Sequence, residues 1–212
     1  MEYTGEQLRA AFLAAVEAEW KRTVRSVGDE ERISRYFRET GWGWALNEGG
    51  MQGVYDDVIR RQTGRGGPHN YCGIGLAWCG VARLGHHIEE GLCLPVRLRM
   101  DIAVSIMPST ARIYWMDWWE NIPVDPMEQI APGEIQPGDI VTVKTGPRWE
   151  RGDHFVMSYH EPVDGILPTY EFNASGELGD GSEGRGVVRR TRKMKDVAIV
   201  YRPDVQHFEE VA

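Results

Sequence analysis

Tyr71-Cys72-Gly73-Ile74-Gly75-Leu76-Ala77-Trp78-Cys79 is the stretch on which the reading of this chain turns. It follows a loop, Gly66-Gly67-Pro68-His69-Asn70, and opens an apolar run that lasts to Leu84, where Gly85 supplies a stop. The pattern predicts a buried helix with Cys72 in its first turn. There the orphan N–H groups and the positive end of the helix dipole favour a thiolate. The thiolate is the nucleophilic form of cysteine, so this is where a covalent catalyst would place one. A free cysteine taken alone is more often a small buried hydrophobe, and the surrounding sequence has to decide between the two.

Upstream of this stretch the chain reads as helical. Thr4 and Gln7 have the spacing of a capping box. Leu8, Ala11, Phe12, Ala15, Val16, Trp20 and Val24 then recur at helical spacing, which predicts an amphipathic helix. A second helix is expected from near Asp29, with Ile33, Tyr36 and Phe37 on one face and Gly41 at its end. Each stripe is too narrow for a helix buried all round. The two helices are therefore expected to pack on the body as an extension over residues 1–65, with the Trp42–Trp44 loop near a cleft mouth. A short helix is expected over Val54–Arg61.

Downstream, Pro95 to Ile106 reads as a further helix and residues 109–122 as a short aromatic one. From Ile135 the texture changes. Gln136-Pro137-Gly138-Asp139 is a turn before a strand at Ile140–Lys144. Further strands are expected near His154–His160, Thr169–Asn173, Val187–Arg192 and Val197–Tyr201. The glycine-rich segment 175–186 reads as a mobile loop. Helices followed by a meander of strands mean an α+β fold.

Composition narrows the classes. The 212 residues suffice for one domain with an elaboration and a substantial core. A net charge of −8 argues against duplex nucleic acid or an anionic membrane as the main partner. Three cysteines, Cys72, Cys79 and Cys93, in a chain of this size argue against a disulfide framework, and there is no C-x-x-C for a zinc ribbon. The acidic start of the chain is not a secretory signal, and no run approaches a membrane span. Synthesis in the cytoplasm without a signal peptide is expected. Cys79 sits mid-helix, away from the dipole end, and reads as core, as does Cys93. His86 and His87 at a helix end read as carbonyl partners rather than a metal site. Glu177, Asp180 and Glu183 lack the spacing of a calcium loop.

His154 begins a predicted strand, and the next carries Glu171-Phe172-Asn173. Glu171 and Asn173 are two residues apart, so their side chains are expected on one face. A cysteine at a helix start, a strand histidine and a polar residue on the neighbouring strand make a nucleophile, a base and an orienting group. His160 lies at the far end of the same strand as His154, so the two are not expected to serve one site.

These segments resemble the CHAP and NlpC-type cysteine hydrolases, and most of all a phage-associated CHAP-like family. The nucleophile segment has its Trp78 six residues after Cys72. Ser109-Thr110-Ala111-Arg112 with Trp115 to Trp119 is similar to that family's second element. Pro137-Gly138-Asp139-Ile140-Val141 is similar to its third, Asp153-His154-Phe155-Val156 to the segment of the base, Glu171-Phe172-Asn173 to the polar element, and Tyr201-Arg202-Pro203 to the closing strand. The resemblance covers about residues 66–203 in order. Asp153, Phe155, Phe172 and Tyr71 depart from the family pattern; Phe155 is expected to narrow the cleft, and Asp153 to add a carboxylate beside the base.

The resemblance implies a papain-like fold over 66–212, with a five- to six-stranded antiparallel sheet. It also implies hydrolysis of an amide bond in bacterial peptidoglycan, either the sugar–peptide amide or a stem-peptide bond. In that reading Cys72 is the nucleophile, His154 the base and Asn173 the orienting group, with Glu171 beside it. Asn70, Tyr71 and His69 are the oxyanion or substrate candidates. No cofactor or metal is called for, and no nucleic acid or membrane insertion. The action would be at the cell wall, by a phage lytic or virion-associated protein or one delivered by a secretion machine. A CHAP-like fold that only binds glycan or peptide, or serves as a phage structural part, is the alternative.

Overall fold

A computed structural model describes residues 2–41, 71–84, 94–106, 127–145 and 154–211. Helix α1 spans Gly5–Lys21 and starts on the expected capping box: Thr4 Oγ1 accepts from Gln7 N–H at 3.2 Å, and Gln7 Oε1 accepts from Thr4 N–H at 2.9 Å. Helix α2 spans Glu30–Glu39, and Gly41 beyond it takes a positive φ. Helix α3 spans Cys72–Trp78 and continues as a π-helical stretch over Cys79–Arg83. Strand β1, Val96–Leu98, precedes helix α4, Met100–Ile106.

The remaining strands are β2 Glu128–Ile130, β3 Ile140–Val143, β4 His154–Ser158, β5 Ile166–Glu177, β6 Glu183–Lys193, β7 Val197–Arg202 and β8 Phe208–Glu210. Six form an antiparallel sheet in the order β2-β7-β3-β4-β5-β6. β1 and β8 pair separately. The fold is thus α+β.

The sheet positions the site because its two faces differ. Ile140, Phe155, Met157, Tyr170 and Phe172 join Leu8, Phe12, Val16, Tyr36, Ile74 and Trp78 in one core between sheet and helices. Val141, Val143, Val156, Leu167, Val197 and Val200 form a second cluster on alternate positions. Both of the predicted apolar stripes near the start of the chain enter the main core, with Leu8, Phe12, Ile33 and Phe37 fully buried.

Two expectations are corrected. Pro95–Ile106 is not one helix: Val96–Leu98 pairs with Phe208–Glu210, and the helix begins only at Met100. The alternation of Val96 and Leu98 about Arg97 is a period of two, and the partner strand lies more than a hundred residues away. The segment 175–186 is not a mobile loop either. β5 runs to Glu177 and β6 starts at Glu183, leaving a short turn. Three of its glycines, Gly176, Gly179 and Gly186, admit close backbone approach. A Cβ on Gly186 would stand 1.9 Å from the Val24 carbonyl oxygen, and one on Gly179 2.2 Å from that of Trp20. Leu178 is buried among Ala174 and Val188. The Trp42–Trp44 loop, the Val54–Arg61 helix, the aromatic segment 109–122 and Cys93 lie outside the described residues.

Candidate active site

Cys72 is the first residue of α3 and is 3% exposed. The helix packs across β4 and β5. That close packing depends on an exchange of volume between two positions. Phe172 occupies the space above Gly75, where a Cβ would meet its ring at 2.1 Å. Phe172, which departs from the family pattern, is thus matched by a glycine on the nucleophile helix. Phe155 is packed in the main core, 7% exposed.

His154 opens β4. Val156 stands opposite Glu171, and His154 lies two residues before Val156 on the same side. The ring therefore reaches Glu171 diagonally: Nε2 donates to Oε2 at 3.0 Å. The thiol of Cys72 hydrogen-bonds the same ring. Burial alone would lower the histidine pKa. The Cys72 charge and hydrogen bond, and then Glu171, outweigh it and lift the value to about 9.

Glu171 is fully buried and held on every side. Arg192 gives it two hydrogen bonds, Nε to Oε1 at 2.7 Å and Nη2 to Oε2 at 2.5 Å, and Thr169 donates to Oε1 at 2.8 Å. Burial raises the carboxylate pKa, but the hydrogen bonds and charges of His154 and Arg192 bring it down to about 2. The sheet register explains the convergence. Leu167, Thr169 and Glu171 alternate on one face of β5, and Arg192 stands opposite Leu167.

Asn173 does not share the face of Glu171 as expected. The β5–β6 register shifts between Glu171 and Ala174, so Phe172 and Asn173 together stand against Val187. This is a β-bulge, with Asn173 at φ 57, a conformation asparagine tolerates better than most residues. The Asn173 carboxamide oxygen accepts from Arg185 Nη2 at 3.3 Å. The carboxylate, not the amide, meets Nε2 of the histidine.

Tyr71, an oxyanion or substrate candidate, is instead fully buried. Its phenol is 2.7 Å from Ser26 Oγ and also hydrogen-bonds the Asn173 backbone, so it ties α3 to the bulge. Asn70, His69 and Asp153 lie outside the described residues. Cys79 is fully buried, and burial, followed by the nearby Glu19 charge, raises its thiol pKa well above the ordinary value. His160 is exposed, its Nδ1 donating to the Glu161 carbonyl at 3.1 Å. Asp180 pairs with Arg25 at 2.7 Å. Among the described residues no group of three or more His, Cys, Asp or Glu is arranged to hold a metal ion, and no helix is long and apolar enough to cross a membrane.

Sequence reasoning missed Arg192 and Thr169. Both sit on predicted strands at period-two positions, and Thr169 shares parity with Glu171; that parity was the available signal. It also missed the buried Glu19, which lies on the apolar stripe of α1 between Val16 and Trp20. No family model, curated protein or solved structure matches the chain.

Proposed function

We propose that this chain is a papain-like cysteine hydrolase that cleaves an amide bond of bacterial peptidoglycan. One observation carries the reading: a cysteine at a helix start whose thiol hydrogen-bonds a histidine that a buried carboxylate holds from its other side. With Nε2 engaged by Glu171, Nδ1 is the nitrogen open to the thiol. The ring would take the thiol proton, so that Cys72 attacks the amide carbonyl as thiolate, and would return that proton to the leaving amine. Water would then release the acyl group from Cys72. Glu171 keeps the ring oriented through both steps. The positive end of α3 favours the thiolate.

The substrate class rests on the ordered resemblance from the nucleophile segment to the closing strand, and the virion or lytic setting rests on it alone.

The test is digestion of purified peptidoglycan by the intact protein and by Cys72→Ala, with fragments identified by mass spectrometry. New free amino groups should appear with the intact protein only, and their position separates sugar–peptide amidase from stem-peptide endopeptidase. Full hydrolysis by Cys72→Ala would overturn the assignment. No hydrolysis of any wall by the intact protein, together with retained binding to it, would favour the non-catalytic alternative.

A further inference from the structure

We infer that Arg192 is a positioning residue of this site: its bidentate pairing fixes the Glu171 carboxylate that orients His154 and weakens that carboxylate's pull on the ring proton. The role it would serve rests on the hydrolase reading above; the geometry does not. Glu171 is fully buried, and the Arg192 side chain is 13% exposed. The guanidinium bonds both carboxylate oxygens, at 2.7 and 2.5 Å, and shares Oε2 with the histidine. Thr169 takes a remaining lone pair of Oε1. A bidentate guanidinium is the geometry best suited to hold a carboxylate in one plane, and its charge is permanent.

The chemistry gives this arrangement a purpose. A buried carboxylate that has only a histidine for a partner stays ionised by tightening the ring's hold on its proton. A base that cannot lose its proton cannot activate water for the second half of the reaction. Pairing with Arg192 keeps Glu171 ionised and weakens its pull on the ring. Among the described residues, the groups that face His154 are Cys72 from α3 and Glu171 from β5, with Arg192 of β6 behind the carboxylate. Asp153 precedes it in the chain, outside the described residues.

The test reads the ring rather than hydrolysis. His154 is titrated by NMR in a Cys72→Ala background, its signal assigned by loss in His154→Asn. Arg192→Gln should raise the proton affinity of the ring by about tenfold or more, since an opposite charge within a few ångströms shifts a titration that far. Arg192→Lys should stay nearer the parent. In Glu171→Gln the cation is left without its partner and the affinity should fall. The double variant Glu171→Gln/Arg192→Gln should lie between the two single ones. An unchanged or lowered affinity in Arg192→Gln would overturn the inference. Should Arg192→Gln not fold, identical titrations in Glu171→Gln and the double variant would overturn it equally. Failure of the protein to cut peptidoglycan leaves each of these outcomes readable.

Discussion

His154 and Glu171 set opposite edges to the pH range of the site. The ring's folded-state pKa, about 9, lies above its ordinary 6.5, because Cys72 and Glu171 outweigh burial. Its contribution to stability is complete below about pH 6.5 and is lost as pH rises through about 9. The pKa of Glu171 is about 2, below its ordinary 4.5. Its contribution is complete above about pH 4.5 and is lost as pH falls towards 2. Thermal unfolding followed by circular dichroism across pH should show a plateau between these windows, and His154→Gln should flatten the alkaline decline. Reactivity follows the same two residues. Iodoacetamide at neutral pH should label Cys72 well ahead of Cys79, whose thiol pKa is raised by burial and by Glu19. Peptide mapping that finds Cys79 labelled first would rule out Cys72 as the nucleophile. The pairing of Cys72 with His154 was legible in motif order. That Glu171 rather than Asn173 meets the ring was not, because one extra residue in β5 breaks the period-two rule.

At the scale of elements, glycines do most to explain how close the pieces come. Gly75 lets α3 settle onto Phe172 of β5. Gly75→Ala should destabilise the fold by roughly 1–3 kcal/mol, the usual cost of overpacking, and Phe172→Leu should recover part of it. Urea unfolding of the two single variants and the double one would read that coupling. Gly186→Ala drives a methyl into the Val24 carbonyl, with no flexible side chain to move aside. It should cost at least as much, and should loosen the hairpin where Ser26 N–H donates to the Arg185 carbonyl at 2.8 Å and Val187 N–H to that of Val24 at 2.9 Å. Faster amide exchange at Ser26 and Val187 would show it. Read alone, Ser175-Gly-Glu-Leu-Gly-Asp-Gly-Ser-Glu-Gly-Arg-Gly186 has the composition of a linker. The backbone at Trp20 and Val24 explains the missing side chains of Gly179 and Gly186, and that of Arg189 explains Gly176.

Across the whole molecule, one buried charge joins the N-terminal helices to the nucleophile helix. Glu19 of α1 accepts from Arg32 of α2 at 2.8 and 2.7 Å, from Tyr36 at 2.5 Å, and from Arg83 of the π-helical stretch at 2.9 Å. Glu19 and Arg83 are both fully buried. Glu19→Ala would leave two guanidinium groups without their shared counter-charge, at a cost of about 3–5 kcal/mol. Chemical denaturation would measure it, and a loss below about 1 kcal/mol would refute the structural importance of the hub. Trp20 adds a second tie: its indole donates to the Glu177 carbonyl at 3.0 Å, and Arg189 lies 3.8 Å above its ring. Deleting residues 1–40 removes both ties and an apolar layer of the main core. The truncated chain should be insoluble or unfolded, and a soluble, cooperatively folding truncation would show that the helices form an independent unit.

Local pattern was enough for the capping box at Thr4, the two apolar stripes, the cysteine at a helix start and the strand cores of β3, β4 and β7. These follow from hydrophobic period and turn chemistry, which act over a few residues. The pairing of β1 with β8, the bulge at Asn173, the close-approach glycines and the convergence of Glu171, Thr169 and Arg192 were decided by tertiary structure. Each joins segments distant in sequence or depends on the register of a partner strand. Glu19 and Arg83 sit at positions that the helical period assigns to the core, where a single charge is too costly to bury. Only their meeting, sixty-four residues apart, makes that burial affordable.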